Sequence, residues 1–229
     1  MTSIAANLQA VRRRIERAAR EAGRAPDGVQ LIAVSKTWPA ERVAEAHACG
    51  QRAFGENQVQ EGVEKIGRLT HLAIEWHFIG PIQSNKTRPI SEHFQWVHSV
   101  EREKVAVRLD DARPAHLPPL DVCIQVNVSG EGSKSGVEPG QEAELARIIA
   151  GLPRLRLRGL MAIPDPTADR RLQRQRFALL RDAKDRLVAA GYALDTLSMG
   201  MSDDFEAAIL EGATMVRVGT AIFGQRQKA

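Results

Sequence analysis

The sequence predicts an α/β fold, a closed (β/α)8 barrel of the TIM type, with one extra helix at its N-terminal end. Three observations carry that prediction. Short apolar strand patterns recur eight times, each followed by a helical segment. No Pro/Gly/Ser linker and no charge block divides the 229 residues, so residues 1–229 are expected to form a single domain. The turn after the first strand, SKTWP, contains no glycine. Alternating β and α segments call for parallel strands with helical crossovers. Eight such units in about 200 residues suit closure into a barrel. The runner-up, an open doubly wound sheet, would normally place a Gly-rich turn after its first strand.

The opening pattern is an amphipathic helix with Ile4, Leu8, Val11 and Ile15 on one face. The first strand spans about 30–35, and its helix begins at Pro39 and stops at Gly50. A short second strand, RAF, runs into GEN and a helix over about 58–69. The third strand, IEWHFIG, covers 74–80, and Pro89 interrupts or starts the helix behind it. The fourth, QWVHS, covers 95–99, with a charged helix from Glu101. The fifth, DVCIQVNVS, covers 121–129 and alternates Cys123, Gln125 and Asn127 against Val122, Ile124 and Val126, which points the polar face into the barrel toward its mouth. A helix over about 139–150 follows. The sixth strand covers 155–163, followed by an Arg-rich helix over 168–190. The seventh, DTLSMG, starts at 195 with a helix over about 203–211. The eighth covers 213–219, and TAIFG closes the pattern.

Composition narrows the functional classes. Hydrophobic residues at 43% and charged residues at 26% are those of an ordinary globular chain, and aromatics at 4% leave the core to Leu, Ile, Val and Ala. A net charge of +4 favours anions, yet arginines scattered on helices more often form a solvated face than a nucleic-acid platform. No nucleic-acid partner is therefore expected. Cys49 and Cys123 are isolated, and no stretch reaches membrane-spanning length, so a cytoplasmic protein with no membrane partner is expected. The six histidines show no HExxH spacing and no metal site emerges; His77, between Trp76 and Phe78, reads as a satisfied core residue.

A barrel of this class carries its chemistry at the C-terminal strand ends, with phosphate after strands seven and eight. Lys36 follows the apolar strand VQLIAV almost at once. A buried amine must be paired or lose its charge, and the neutral form is the nucleophile that attacks an aldehyde. Ser198 and Ser202 after strand seven, and Gly219 with Thr220 after strand eight, suit a phosphate. Arg217 is a permanent donor near the mouth, able to meet a phosphate, a carboxylate or an aromatic nitrogen. Aldehyde, phosphate and ring nitrogen occur together in pyridoxal phosphate. Taken singly, Lys36 could snorkel from the rim, Ser202 could cap a helix and Arg217 could sit in a salt bridge.

The stretches AVSKTWP, AFGENQVQE, WHFIGPIQSNK, VCIQVNVSGEGSKSG, GLMAIP, LSMGMSDDFEAAI and GATMVRVGTAIFG run in order from near residue 30 to Gly224. In them the chain resembles the pyridoxal phosphate homeostasis (YggS/PROSC) family, whose fold is similar to the N-terminal barrel domain of alanine racemase. The resemblance implies that Lys36 holds pyridoxal 5'-phosphate as a Schiff base and that Asn57 lies beside the ring. It further implies that Ser198, Ser202, Gly219 and Thr220 surround the phosphate and that Arg217 faces the pyridine nitrogen. It implies a monomer that controls free vitamin B6 cofactor without an established reaction, with apo-enzymes that use the cofactor as candidate recipients. The family's FGEN is often followed by an aromatic residue, where this chain has Gln58.

The rival is a pyridoxal-phosphate-dependent amino-acid racemase, which needs a proton donor or acceptor on each face of the α-carbon. Lys36 could serve one face. The only tyrosine, Tyr192, precedes strand seven and so belongs at the far end of the barrel. An unprotonated pyridine nitrogen opposite Arg217 is also a weak electron sink. A non-enzymatic carrier is the expectation, with a slow side reaction through His98 or water left open.

Overall fold

A computed structural model describes residues 3–130 and 135–225. The 131–134 part of VCIQVNVSGEGSKSG, the first two residues of the N-terminal pattern and residues 226–229 lie outside the described residues. Eight parallel strands close into a barrel in sequence order, the last pairing with the first. They are β1 (Gln30–Val34), β2 (Ala53–Glu56), β3 (Glu75–Phe78), β4 (Trp96–Val100), β5 (Leu120–Gln125), β6 (Leu155–Met161), β7 (Thr196–Ser198) and β8 (Met215–Val218). Their helices are α2 (Ala40–Ala48), α3 (Val59–Arg68), α4 (Thr87–His93), α5 (Glu103–Ala112), α6 (Glu142–Ala150), α7 (Arg170–Ala189) and α8 (Phe205–Leu210). The helix after β8, α9 (Thr220–Phe223), is a single turn.

The N-terminal helix α1 (Ile4–Glu21) makes good that short α9. It packs against α2, α8 and α9, over the seam where β8 meets β1. Its stripe of Ile4, Leu8, Val11 and Ile15 is buried as the periodicity requires, and each such side chain contributes roughly 1.5–3 kcal/mol on burial. Ser3 caps it by accepting from the Ala6 amide at 3.2 Å. Arg14 grips Glu206 on α8 with two hydrogen bonds, at 2.8 and 2.9 Å, while its guanidinium lies over the Phe205 ring. The extra helix thus completes the outer ring.

Strand alternation sorts the apolar residues into two cores. The larger lies between strands and helices; the smaller, inside the barrel, comprises Ile32, Ala53, Trp96, Cys123, Met161 and Met215. Cys123 faces inward as its alternation predicts, and burial pushes its thiol far above the ordinary range. His77, His98, Ser198 and Arg217 occupy other buried positions of the interior and form the hydrogen-bonded chain described below.

Several boundaries differ from expectation. β2 continues through Gly55 and Glu56, because the Glu56 side chain is paired inside rather than exposed in a loop. β3 stops at Phe78 and β5 at Gln125, the latter followed by one isolated bridge between Val126 and Val137. Pro89 sits in the first turn of α4, where its missing N–H costs no helical bond. The arginines of α7 are largely engaged: Arg174 and Arg181 with Glu211, Arg186 with Glu142, and Arg176 with Asp165. Among the described residues no helix is long and apolar enough to cross a membrane, and no group of metal-binding side chains occurs.

Candidate binding site at the barrel mouth

A cavity of about 380 Å³ opens at the C-terminal ends of the strands. Lys36, Asn57, Ser202, Arg217, Gly219 and Thr220 all line it, joined by Trp38, Ile79, Gly80, Ile163, Met201 and Asp203. Six of the seven residues expected at the site therefore meet at one cavity.

The turn that delivers Lys36 is held from behind. Thr37 has φ of +68°, the only left-handed non-glycine residue among those described. Its amide donates to Glu61 Oε1 on α3 at 2.5 Å. Lys65, also on α3, donates to the Ser35 carbonyl at 2.8 Å, to Glu56 Oε1 at 2.8 Å and to Glu61 Oε1 at 2.7 Å. Ser35 Oγ closes the cluster on Glu56 at 2.6 Å. Glu56 is fully buried, and burial raises its carboxyl above the usual range against the pull of Lys65. This clamp is not apparent from the sequence pattern alone. Its signal was present in GENQVQEGVEK, where Glu61 and Lys65 stand four apart on one helix face.

Asn57 and the glycines shape the floor. Asn57 Oδ1 is buried without a hydrogen-bond partner beside the cavity, an orphan acceptor that a polar ligand group would satisfy. A Cβ on Gly80 would fall 2.1 Å from the Asn57 carbonyl oxygen, so the close approach of the two loops needs glycine. A Cβ on Gly219 would press to 3.1 Å on the Val34 carbonyl. Ser202 Oγ accepts from the Ala221 amide at 3.5 Å, tying the loop after β7 to the single turn of α9. Trp38 stacks on Phe223 at 6.1 Å as one wall.

Arg217 is 3% exposed, and burial lowers its guanidinium to about 10, which still leaves it cationic at neutral pH. It donates Nη1 to Ser198 Oγ at 2.7 Å and Nη2 to the Ala162 carbonyl at 2.9 Å. Ser198 is thus placed differently from the phosphate role expected of it. Its hydroxyl points into the barrel beneath Arg217, bonded to His98 Nδ1 at 2.7 Å, and it does not line the cavity. The cause is strand alternation: Ser198 ends β7 facing inward, whereas Ser202 lies four residues on, in the loop. His98 is likewise fully buried and away from the cavity lining. Tyr192 lies in the loop that feeds β7, at the opposite rim.

An orphan amide acceptor, a cationic donor, a lysine and a serine–glycine–threonine rim around one cavity fit a small phosphorylated aldehyde with a ring. Comparison with known proteins gives the chain's family. The model of the alanine racemase N-terminal domain matches residues 6–227. The chain is 62% identical over 226 residues to the pyridoxal phosphate homeostasis protein of Pseudomonas aeruginosa, covering 99% of this chain and 97% of that protein. It is 54% identical over 229 residues to the protein of the same name from Escherichia coli K12, covering 99% and 98%. The solved structure of PipY from Synechococcus elongatus, with PLP bound, superposes with a TM-score of 0.84 at 37% identity, covering 97% of this chain and all of that one. Alanine racemase from Corynebacterium glutamicum superposes at 0.69 with 17% identity over 62% of its length, a likeness of fold alone.

Proposed function

The chain belongs to the pyridoxal phosphate homeostasis proteins, a family carrying the alanine racemase N-terminal domain, and from that premise we propose that it holds pyridoxal 5'-phosphate reversibly on Lys36 and serves the intracellular homeostasis of that cofactor. The observation that carries this reading is the convergence of Lys36, the orphan Asn57 oxygen, Arg217 and the Ser202–Gly219–Thr220 rim on one cavity.

Bound pyridoxal phosphate supplies an aldehyde that a lysine amine captures as a Schiff base with loss of water. Lys36 provides that amine, aimed by the clamp behind its turn. Ser202 and Thr220 offer hydroxyls to the phosphate, and Gly219 leaves the backbone room to approach it. Arg217 would offer a donor to the ring nitrogen and so oppose its protonation, since an arginine cannot accept. Asn57, whose orphan oxygen lies beside the cavity, would stand next to the ring. Ser198 supports Arg217 from below and is no longer assigned to the phosphate.

A non-enzymatic carrier is favoured over a racemase. Neither a tyrosine nor a histidine is among the cavity's described lining residues, so the usual proton donor or acceptor for the second face of a substrate's α-carbon is not among them. Asp203 is the acid at the rim. Cys49 and Cys123 are free thiols, which suits the cytoplasm, where the protein acts as a monomer with cofactor-requiring apo-enzymes as candidate recipients. Assays over a panel of amino acids are expected to show negligible racemisation. Robust turnover lost in Lys36→Ala and Asp203→Asn would establish the enzyme instead.

A further inference from the structure

Five side chains form a continuous hydrogen-bonded chain through the barrel interior, from its N-terminal rim to the floor of the cavity. Glu75 opens β3 at the rim, where Gln30 donates to its Oε1 at 2.8 Å. The same oxygen lies 2.8 Å from His77 Nε2. His77 Nδ1 lies 2.9 Å from His98 Nε2 on β4. His98 Nδ1 meets Ser198 Oγ on β7 at 2.7 Å, and Ser198 meets Arg217 on β8. Both imidazoles and the hydroxyl are fully buried.

The two ends fix the direction of every link. Arg217 can only donate, and ionised Glu75 can only accept. Glu75 is held below the ordinary carboxyl range, first by its hydrogen bond from His77. Burial lowers both imidazoles, His98 the more strongly because His77 and Arg217 face it, so neither carries a charge at neutral pH. The other charged groups turned toward this interior are Asp121 and Arg158 below, Arg158 over the Trp96 ring, and Asp204 above. Between the ends, each neutral member has one donor and one acceptor in the chain. A single arrangement satisfies them all. Arg217 donates to Ser198, Ser198 to His98 Nδ1, His98 Nε2–H to His77 Nδ1, and His77 Nε2–H to Glu75. The reverse order would require Glu75 to donate a proton that it does not hold.

We propose that Glu75, at the opposite rim from the cavity, is a positioning residue for Arg217: through His77, His98 and Ser198 it keeps the Ser198 oxygen an acceptor and the guanidinium fixed as a donor at the cofactor's ring nitrogen. Aligned hydrogen bonds polarise one another, so the carboxylate's influence passes along the chain. This inference rests on the cofactor reading and assigns the device that holds one end of that site.

Nitrogen-15 NMR of the histidine side chains tests it directly, with and without pyridoxal phosphate. In the wild type, His77 and His98 are expected to be neutral and both Nε2–H tautomers. Glu75→Gln, whose amide can donate as well as accept, should let His77 populate the Nδ1–H form and weaken pyridoxal phosphate binding about fivefold, the worth of one ordinary hydrogen bond. Ser198→Ala should weaken binding similarly while His77 keeps its wild-type tautomer. A charged or Nδ1–H ring in the wild type overturns the proposal, as does Glu75→Gln with unchanged tautomers and affinity. If the wild type binds no pyridoxal phosphate, the cofactor reading falls, and the tautomers alone still decide the chain.

Discussion

Two glutamates on neighbouring strands have opposite surroundings. Glu56 ends β2 behind the Lys36 turn, fully buried, and its carboxyl is raised by burial although Lys65 sits 2.8 Å away. Glu75 begins β3 at the other rim, 40% exposed, and its carboxyl is lowered because His77 donates to it. Each serves one pole of the same cavity. The Glu56 cluster is ionic and pins a backbone turn, which a strained Thr37 would otherwise escape. The Glu75 chain is neutral through its middle and pins a side chain. A charged clamp suits a fixed lysine; a relay of neutral donors suits an arginine whose hydrogen-bonding direction matters.

The clamp is expected to be the costlier to break. Lys65→Met leaves Glu56 buried and unpaired, so denaturant unfolding should show a loss of about 3–5 kcal/mol. Adding Glu56→Gln should restore much of it. A single-variant loss below about 1 kcal/mol would reduce the clamp to a surface-like pair and erase the contrast.

Ser202 lies outside both clusters and calibrates them. Ser202→Ala should weaken pyridoxal phosphate about tenfold, near the value of one hydrogen bond to a charged group, while unfolding falls by no more than about 1 kcal/mol for the lost contact with the Ala221 amide. Isothermal titration with pyridoxal phosphate and with pyridoxal would separate the phosphate term: the variant should bind pyridoxal as the wild type does.

The smallest effect is the dependence of stability on pH, where the two acids have opposite signs. Glu75 binds its proton less readily when folded, so its contribution is present above the ordinary glutamate range and is lost as pH falls through its lower folded value. Glu56 binds its proton more readily when folded, so its contribution is present in acid and is lost as pH rises toward its raised folded value. Relative to wild type, Glu75→Gln should therefore gain stability on acidification and Glu56→Gln should lose it. Chemical denaturation at a series of pH values would show whether the slopes diverge; parallel slopes would remove the distinction.

The barrel was legible because eight strand patterns alternate with helices, and the Ile4–Leu8–Val11–Ile15 stripe announced the extra helix. The cavity residues were legible because chemistry in this fold gathers at the strand ends, where Lys36, Ser202 and Gly219 stand. The supports were not. The Glu56–Lys65 pair reads in sequence as solvated helix and loop charge until α3 packs against β2. His77 and His98 become neighbours only through the β3–β4 register, which sets His77 beside Trp96 and leaves His98 two residues further up the strand. Ser198 and Ser202 differ only in which way the chain turns at the end of β7, and a motif match treats them alike.

The central claim is that Lys36 is the covalent anchor of a complete pyridoxal phosphate site. Its most direct test is a titration of purified protein with pyridoxal phosphate, followed by visible absorbance before and after borohydride reduction. The wild type should develop a Schiff-base band, and reduction should fix the cofactor on the peptide that contains Lys36, with no band in Lys36→Ala. An undiminished band in Lys36→Ala, or reduced label on another lysine of the wild type, would contradict the account.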